Sequence, residues 1–278
     1  VDANARVVFD NVYPQSHSEV QAASAAVLAI GDVAPVQVFR HAGVGAILQS
    51  IDRRALLRLA IAHDATIEMV RSVGDYVPTQ AAVVRVYGDA PIAEWRLRAG
   101  LFFGDERTVE DDPAFSFRLL VDVAIKALSP AVNDPTTAVQ CLDRIEGVLR
   151  CASDKHLSVG VALDDTSTVR LIYPTPSWDD LVTLALDEIR AFGAGQYQIG
   201  RRMRALLVDL LADLPPERHP ALDRQLLLLD SAVRRAFPDD AERVDALVPD
   251  RQGLGPSHRF APKSGAVSDP VGGRGSLG

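Results

Sequence analysis

The sequence predicts an α+β protein in which a small β-rich, barrel-like module precedes a mainly helical domain that carries one β-hairpin. Short strand-like segments separated by turn residues fill 33–90. Apolar residues recur at helical spacing through most of 91–250. The exception is 156–173, where two strand-like segments flank a polar turn, a pattern typical of a hairpin.

The first third of the chain contains a helical lead-in and then the β-rich module. Residues 1–32 read as a helical connection, because 20–30 is rich in alanine. Within the module, Asp52 is expected to cap a helix that begins at Arg53. The predicted strands are 36–39, 44–48, 66–70 and 82–87. We expect the first two of them to form a hairpin.

The helical domain begins with two helices joined by a proline-rich connection. The first runs from Pro113 to about residue 128, and Thr108 with Asp111 resembles its capping box. Asp134 then caps a second helix whose first residue is Pro135. The later helices are expected at 178–192, 198–214, 221–237 and 239–247. Ser177 and Asp180 predict a cap for the helix at 178.

The end of the chain is less apolar than the helical domain. Residues 251–278 read as a disordered tail because they are rich in Gly, Ser and Pro. The polar segment 250–255 could fold back onto the helices or form a linker, and the sequence leaves both alternatives open.

Charge and cysteine content exclude some classes of protein. Lys+Arg number 29 and Asp+Glu 37, so the net charge is −8, which disfavours non-specific binding to nucleic acid. Two isolated cysteines form neither a disulfide framework nor a zinc site, and they indicate a reducing compartment. Neither a signal peptide nor a continuous apolar stretch of spanning length is expected in these residues.

Cofactor motifs are absent from the β-rich module. Segments 43–47 and 73–79 resemble hairpins of biotinyl/lipoyl-like barrels, although an unrelated small β-module is an equal alternative. The biotinyl and lipoyl domains carry their cofactor on a lysine, and no lysine precedes Lys126. No phosphate-binding loop, metalloprotease helix or nucleophile elbow occurs. We therefore expect no cofactor, and the absence of these signatures favours a role other than catalysis.

The connection between the two helices at 113–149 is the first candidate binding site. Free N–H groups and hydroxyls at the start of a helix can receive an anion. The candidate ligand-binding residues are Ser129, Asn133, Asp134, Thr136 and Thr137, with Arg118 and Asp122 within possible reach. The alternative is a helical hairpin in which these groups serve only as caps, with Arg118 as the partner of Asp122.

The acidic run before this helix suggests a second hypothesis, a divalent-metal-dependent hydrolase. Oxygen ligands suit Mg²⁺ or Mn²⁺. The candidate ligands are Asp111, Asp112 and Asp122, with Asn133 and Asp134 as further oxygen ligands. The alternative is a helix cap followed by a solvated acidic face.

Six segments in this order resemble one bacterial family of predicted membrane proteins, domain of unknown function 2254. They are 43–52, 74–87, 106–120, 127–138, 178–190 and 250–255, and the resemblance covers about 35–255. The segment 127–138 is its most specific part. The resemblance implies an inner-membrane protein whose N-terminal half carries spanning helices, with this chain as its soluble C-terminal part. The family supplies no established activity, so no catalytic residue can be transferred.

These observations favour an assembly or sensing role at the cytoplasmic face of the inner membrane. We expect self-association or another membrane-associated protein as the partner, and no nucleic acid. Contact with the membrane itself is expected only through a segment absent from this chain. The metal-dependent hydrolase and the anion-binding helix connection are the alternatives.

Overall fold

A computed structural model describes Phe9, Val12, Tyr13, residues 33–155, Leu157, residues 160–253 and Gly255. The strands in these residues are β1 (Gln37–Arg40), β2 (Ala46–Ile51), β3 (Thr66–Met69), β4 (Tyr76–Val77), β5 (Ala82–Tyr87), β6 (Leu101–Gly104), β7 (Gly160–Leu163) and β8 (Val169–Tyr173). The α-helices are α1 (Arg53–Ala62), α2 (Glu94–Ala99), α3 (Pro113–Ala127), α4 (Pro135–Ser153), α5 (Trp178–Gly193), α6 (Tyr197–Asp213), α7 (His219–Ala236) and α8 (Asp240–Ala246), and a 3₁₀ helix spans Pro216–Arg218. The α+β class is confirmed.

The strands form two open sheets and do not close into a barrel. One sheet has five strands in the order β1-β5-β3-β8-β7, and the other has three in the order β4-β2-β6. Strand β1 pairs with β5, whereas β2 pairs with β4 and β6. The expected hairpin of the first two strands was therefore wrong, because each of them joins a different sheet.

The predicted hairpin at 156–173 is present as β7 and β8, which pair antiparallel. Strand β8 also pairs in parallel with β3, where Ile67 lies opposite Leu171. The Thr66 hydroxyl donates to the carbonyl oxygen of Val169 at 2.9 Å. The hairpin thus extends the sheet that β3 and β5 form, and the segment after β8 comes to lie beside the sheet-rich part of the chain. Residues 156, 158 and 159 lie outside the described residues.

The helices pack around a separate apolar core. Helix α3 lies between α4 and α5, and α6 packs on α4 and α7. Leu142, Ile145 and Leu149 follow one face of α4 and are fully buried. Burial of each such side chain contributes about 1.5–3 kcal/mol. Phe9, Val12 and Tyr13 belong to this core as well.

Local capping explains where most helices begin. The side chains of Asp52, Asp134 and Ser177 cap α1, α4 and α5 as predicted. The capping box expected at Thr108 was wrong, because Asp112 caps α3 and accepts a hydrogen bond from the N–H of Phe115. Asp112 directly precedes Pro113 and therefore occupies the position that a cap requires.

Strands β4 and β6 were not predicted, and two expectations cannot be compared. The sequence predicts a turn at β4 and helical structure at β6. Both strands are short and pair with β2 rather than with a neighbour in sequence. Helix α2 falls within the residues expected to be mostly helical. The helix expected at 20–30 lies outside the described residues, as do 256–278 of the predicted tail.

The polar segment that follows α8 folds back onto the helices. Asp250 is buried and accepts hydrogen bonds from the N–H groups of Gln252 and Gly255. Arg251 contacts both carboxylate oxygens of Asp209 at 2.6 and 2.7 Å. Of the two alternatives left open by the sequence, the structure shows the folded one for these residues.

Candidate functional site

A cleft of about 310 Å³ lies where the sheet-rich part of the chain meets the helical part. Its walls come from the start of α1, the turn between β3 and β4, the segment before α3, and the connection from β8 to α5. The charged side chains that line it are Arg53, Arg71, Arg107, Asp75, Asp111, Asp112 and Asp180. We call this the Arg71 cleft.

Two arginine–aspartate pairs form part of the wall. The Nη2 atom of Arg53 lies 3.1 Å from an oxygen of Asp111, which joins α1 to the segment before α3. Arg107 contacts Asp112 at 2.8 and 3.2 Å through two nitrogens. Asp112 is buried and also caps α3, so both of its carboxylate oxygens accept hydrogen bonds within the fold. Because the charges cancel within each pair, these four side chains contribute little net charge to the cleft.

The turn between β3 and β4 packs directly on the second pair. Gly74 has a φ of +91°, and a Cβ atom placed on it would lie 2.3 Å from Oδ2 of Asp112 and 2.4 Å from Nη2 of Arg107. Only glycine adopts this conformation without strain and leaves room for the pair. The carboxylate of Asp75 completes the turn by accepting the N–H of Ser72 at 3.0 Å.

Arg71 differs from the other two arginines of the cleft. It is half-buried, and its Nε–H donates to the carbonyl oxygen of Ala82 at 3.4 Å. Among the described residues no carboxylate pairs with its guanidinium. A guanidinium has five N–H donors and matches carboxylate and phosphate groups. Arg71 can therefore offer several donors to a molecule in the cleft.

The far wall also holds the N-terminal part of the chain. The hydroxyl of Tyr13 donates to the carbonyl oxygen of Pro176 at 3.0 Å, and that of Tyr173 donates to Val12 at 3.2 Å. Burial raises the pKa of both tyrosine hydroxyls, so each keeps its proton and remains a donor. Asp180 forms the capping box of α5 with Ser177.

At the connection between α3 and α4, most of the predicted ligand-binding groups form hydrogen bonds within the connection itself. The Ser129 hydroxyl donates to the carbonyl oxygen of Lys126, and Asn133 adopts a left-handed φ of 48°. Asp134 accepts the N–H of Thr137 at 3.1 Å and its hydroxyl at 2.5 Å. These bonds, with the Thr137 hydroxyl first, lower the pKa of Asp134. Thr136 is exposed beside them.

Arg118 and Asp122 pair on α3. Arg118 Nη2 lies 2.5 Å from Asp122, and the same guanidinium contacts Glu188 on α5. Arg118 thus connects two helices, and no described contact links it to the α3–α4 connection. Thr137 also lines an open depression of about 460 Å³ beside Cys141 and Asp143.

The three candidate metal ligands are divided between two places. Asp111 and Asp112 line the Arg71 cleft, each paired with an arginine, whereas Asp122 pairs with Arg118 on the exposed side of α3. In the described part of the chain, no three His, Cys, Asp or Glu side chains form a group that could hold a metal ion.

Sequence comparison gives the family of the protein. The family model described as Predicted membrane protein (DUF2254) matches residues 10–209. The chain belongs to this family. The match spans both sheets and α3 to α5, and thus every wall of the Arg71 cleft. Throughout the described residues, no helix is both long and apolar enough to cross a membrane.

Uncharacterized mycobacterial proteins are similar to this chain. The uncharacterized protein Rv1290c of Mycobacterium tuberculosis H37Rv is 28% identical over 246 residues, which are 86% of this chain and 46% of the relative. The uncharacterized protein Mb1321c of Mycobacterium bovis gives the same values. The chain thus spans about half the length of these relatives. No solved structure matches it.

Sequence reasoning missed most of the residues around this cleft. It singled out Asp111 and Asp112, but as metal ligands. Arg71 gives only a weak signal in the sequence: it follows a predicted strand and precedes a Gly-Asp turn, and loop residues held by a rigid scaffold often bind ligands. The opposite wall follows β8, and only the pairing of β3 with β8 brings the two together.

Proposed function

We propose that this DUF2254 chain is a ligand-sensing region of a membrane protein, and that the Arg71 cleft receives a small zwitterionic ligand. The observation that carries the proposal is the guanidinium of Arg71, which lines the cleft without a carboxylate partner among the described residues. The volume of about 310 Å³ lies at the lower end of the range of about 300–1,000 Å³ for small-molecule sites.

The balance of charge selects the class of ligand. The pairs of Arg53 with Asp111 and of Arg107 with Asp112 cancel within the wall. Arg71 and the carboxylate of Asp75 remain at one wall, and Asp180 at the other. A purely anionic ligand would be repelled by those carboxylates. A ligand with a carboxylate for Arg71 and an amine or other donor for an aspartate suits both signs, as an amino acid would.

The contacts of the N-terminal segment support a sensing role. Tyr13 and Val12 are tied to the β8–α5 connection, which is itself a wall of the cleft. A ligand that moved or stiffened this connection would change the two hydrogen bonds that join it to Val12 and Tyr13. From the family resemblance we expect the spanning helices N-terminal to these residues. Binding of a ligand in the cleft would then change the structure next to those helices. The coupling requires that the ligand bind two states of the connection with different affinity.

Thermal unfolding with a panel of small ligands tests the proposal. Amino acids, dicarboxylates and inorganic phosphate would be added to the purified chain. At a concentration about 100-fold above Kd, a ligand of the native state should raise Tm by about 5 °C. We expect this rise for zwitterions, and expect Arg71→Gln to abolish it.

Arg40→Gln is the matched control. Arg40 is exposed and, like Arg71, donates to a backbone carbonyl, that of Gln80. It lies on β1, outside the residues that line the cleft. The control should keep the ligand response of the wild type. No response to any zwitterion, or the same response in Arg71→Gln and wild type, would reject the cleft as the sensing site.

A further inference from the structure

The sheet-rich part of the chain carries a charge opposite to that of the whole protein. Residues 33–104 contain eight arginines and six acidic residues, a net charge of +2, whereas the chain has a net charge of −8. Several of these arginines have no carboxylate partner among the described residues; they are Arg54, Arg58, Arg96 and Arg98. Residues 33–104 thus carry a small excess of positive charge within an acidic chain.

Three of the arginines lie on two neighbouring helices, α1 and α2, together with exposed apolar side chains. Arg54, Arg58 and Ile61 are exposed and follow each other at helical spacing on α1. His63 ends this helix, and its Nε2 atom lies 3.4 Å from Nη1 of Arg96 on α2. Helix α2 is thereby placed beside the end of α1.

Trp95 extends this surface on α2. It is 69% exposed, and the guanidinium of Arg96 lies 5.2 Å from the centre of its ring. The only other tryptophan, Trp178, is buried and donates to the carbonyl oxygen of Arg218. We call Arg54, Arg58, Ile61, Trp95 and Arg96 the arginine–tryptophan surface.

The acidic groups near this surface leave it positive. Asp64 follows α1 but contacts Arg170 at 2.7 Å. Asp52 caps the start of α1 through its side chain. Glu94 is exposed next to Trp95, and Asp89 is exposed in the loop before α2, so these two acids oppose two of the three arginines. The surface therefore combines a small net positive charge, an exposed indole and an exposed aliphatic side chain.

We propose that the arginine–tryptophan surface docks on an anionic lipid bilayer. Guanidinium groups bind phosphate, and tryptophan is enriched at the level of lipid headgroups. Membership of a family of predicted membrane proteins places such a bilayer within reach of the chain. The docking adds a direct membrane contact of this chain, and it does not depend on the cleft.

Flotation of the full chain with lipid vesicles tests this inference. In about 0.1 M salt, vesicles of phosphatidylcholine with about 30% phosphatidylglycerol should bind the protein, and vesicles of phosphatidylcholine alone should bind it far less. Reversing two charges with Arg54→Glu and Arg58→Glu should lower the fraction bound by about tenfold or more. Arg96→Glu alone, on the other helix, should weaken binding as well.

The matched control reverses two charges elsewhere. Arg234 and Arg235 are exposed on α7, so Arg234→Glu with Arg235→Glu changes the net charge equally. This control should bind within about twofold of wild type, because charges far from the contact are screened beyond about 10 Å at 0.1 M salt. If both double variants lost vesicle binding equally, the net charge of the protein and not this surface would determine binding, and the proposal would be overturned.

Tryptophan fluorescence gives an independent readout. Brominated lipid in the anionic vesicles should quench the emission of wild type, and should leave that of Trp95→Phe, which keeps only Trp178, almost unchanged. Equal quenching of the two proteins would place the lipid elsewhere. Binding to neither kind of vesicle would also overturn the proposal, and would leave a protein partner as the occupant to be sought.

Discussion

Arg202 on α6 and Arg71 after β3 illustrate two uses of the same side chain. Arg202 is 5% exposed and contacts Asp143 and Glu146 of α4, each at 2.7 Å. Arg71 is half-buried and donates only to a backbone carbonyl among the described residues. Arg118 and Arg204 likewise connect neighbouring helices. In the sheet-rich part, by contrast, Arg54 and Arg58 have no carboxylate partner among the described residues. The contrast separates residues that hold the fold from residues that can bind something else.

Removal of a paired, buried arginine should have the largest effect on stability. Arg202→Ala removes a buried guanidinium that connects α6 to Asp143 and Glu146 of α4, while Arg150 stays paired with Glu146. We expect a loss of about 3 kcal/mol in the free energy of unfolding, from two charge-assisted hydrogen bonds and the packing of the buried side chain. Urea denaturation monitored by circular dichroism measures it.

Arg224→Ala is the matched control for this prediction. Arg224 also pairs across two helices, with Asp179, but both side chains are about half exposed. Such a pair contributes at most about 1 kcal/mol. Similar losses in both variants would contradict the view that burial decides what an arginine contributes here.

Gly74→Ala should have the next largest effect and should act on the cleft. The φ of +91° is unfavourable for alanine, and the new methyl group would displace Arg107 from Asp112. We expect a loss of about 2 kcal/mol, mainly from backbone strain. The same denaturation experiment measures it.

Gly195→Ala provides the comparison at a glycine without this constraint. Gly195 follows α5, and a Cβ atom there would approach only Ala236, at 3.8 Å. Its substitution should change stability little. If Gly74→Ala were equally mild, the turn would have room to adjust and the cleft wall would be softer than its contacts indicate.

The helices could be predicted from sequence because their signals are local. Asp52, Asp134 and Ser177 each stand within three residues of the N–H that they cap. Even the error at Thr108 concerned a choice between neighbouring caps. The polar connection between α3 and α4 also attracted notice for local reasons, namely its prolines and threonines.

The Arg71 cleft could not be predicted in the same way. Its walls include residues near 53, 71, 111 and 175, which meet only because β8 pairs with β3 across about a hundred residues of sequence. A single sequence gives no signal for this parallel pairing. Whether an arginine of the cleft has a carboxylate partner also depends on contacts between residues distant in sequence. The fold places Asp111 beside Arg53 and not beside Arg71, and the sequence around the two arginines does not indicate this difference.

The smallest predicted effect concerns the connection that sequence reasoning favoured. The Thr137 hydroxyl, the first cause of the lowered pKa of Asp134, stabilises its carboxylate. A carboxyl with a lowered folded pKa stabilises the fold above its ordinary value of 3.8, and this stabilisation is lost as the pH falls through the folded pKa. Asp134→Asn should therefore be less stable than wild type at neutral pH, with a difference that shrinks in acid.

When the same comparison of Asp134 with Asp134→Asn is made in a protein that carries Thr137→Val, the pH-dependent difference in stability should be smaller. In a protein that carries Thr136→Val, at the exposed neighbour, the difference should be unchanged. Urea midpoints at neutral and acidic pH measure both. A pH-independent difference would mean that the charge of Asp134 is not what the threonine stabilises. The expected result would show that the polar groups of this connection are already used within the fold, which is why a ligand is better sought at Arg71.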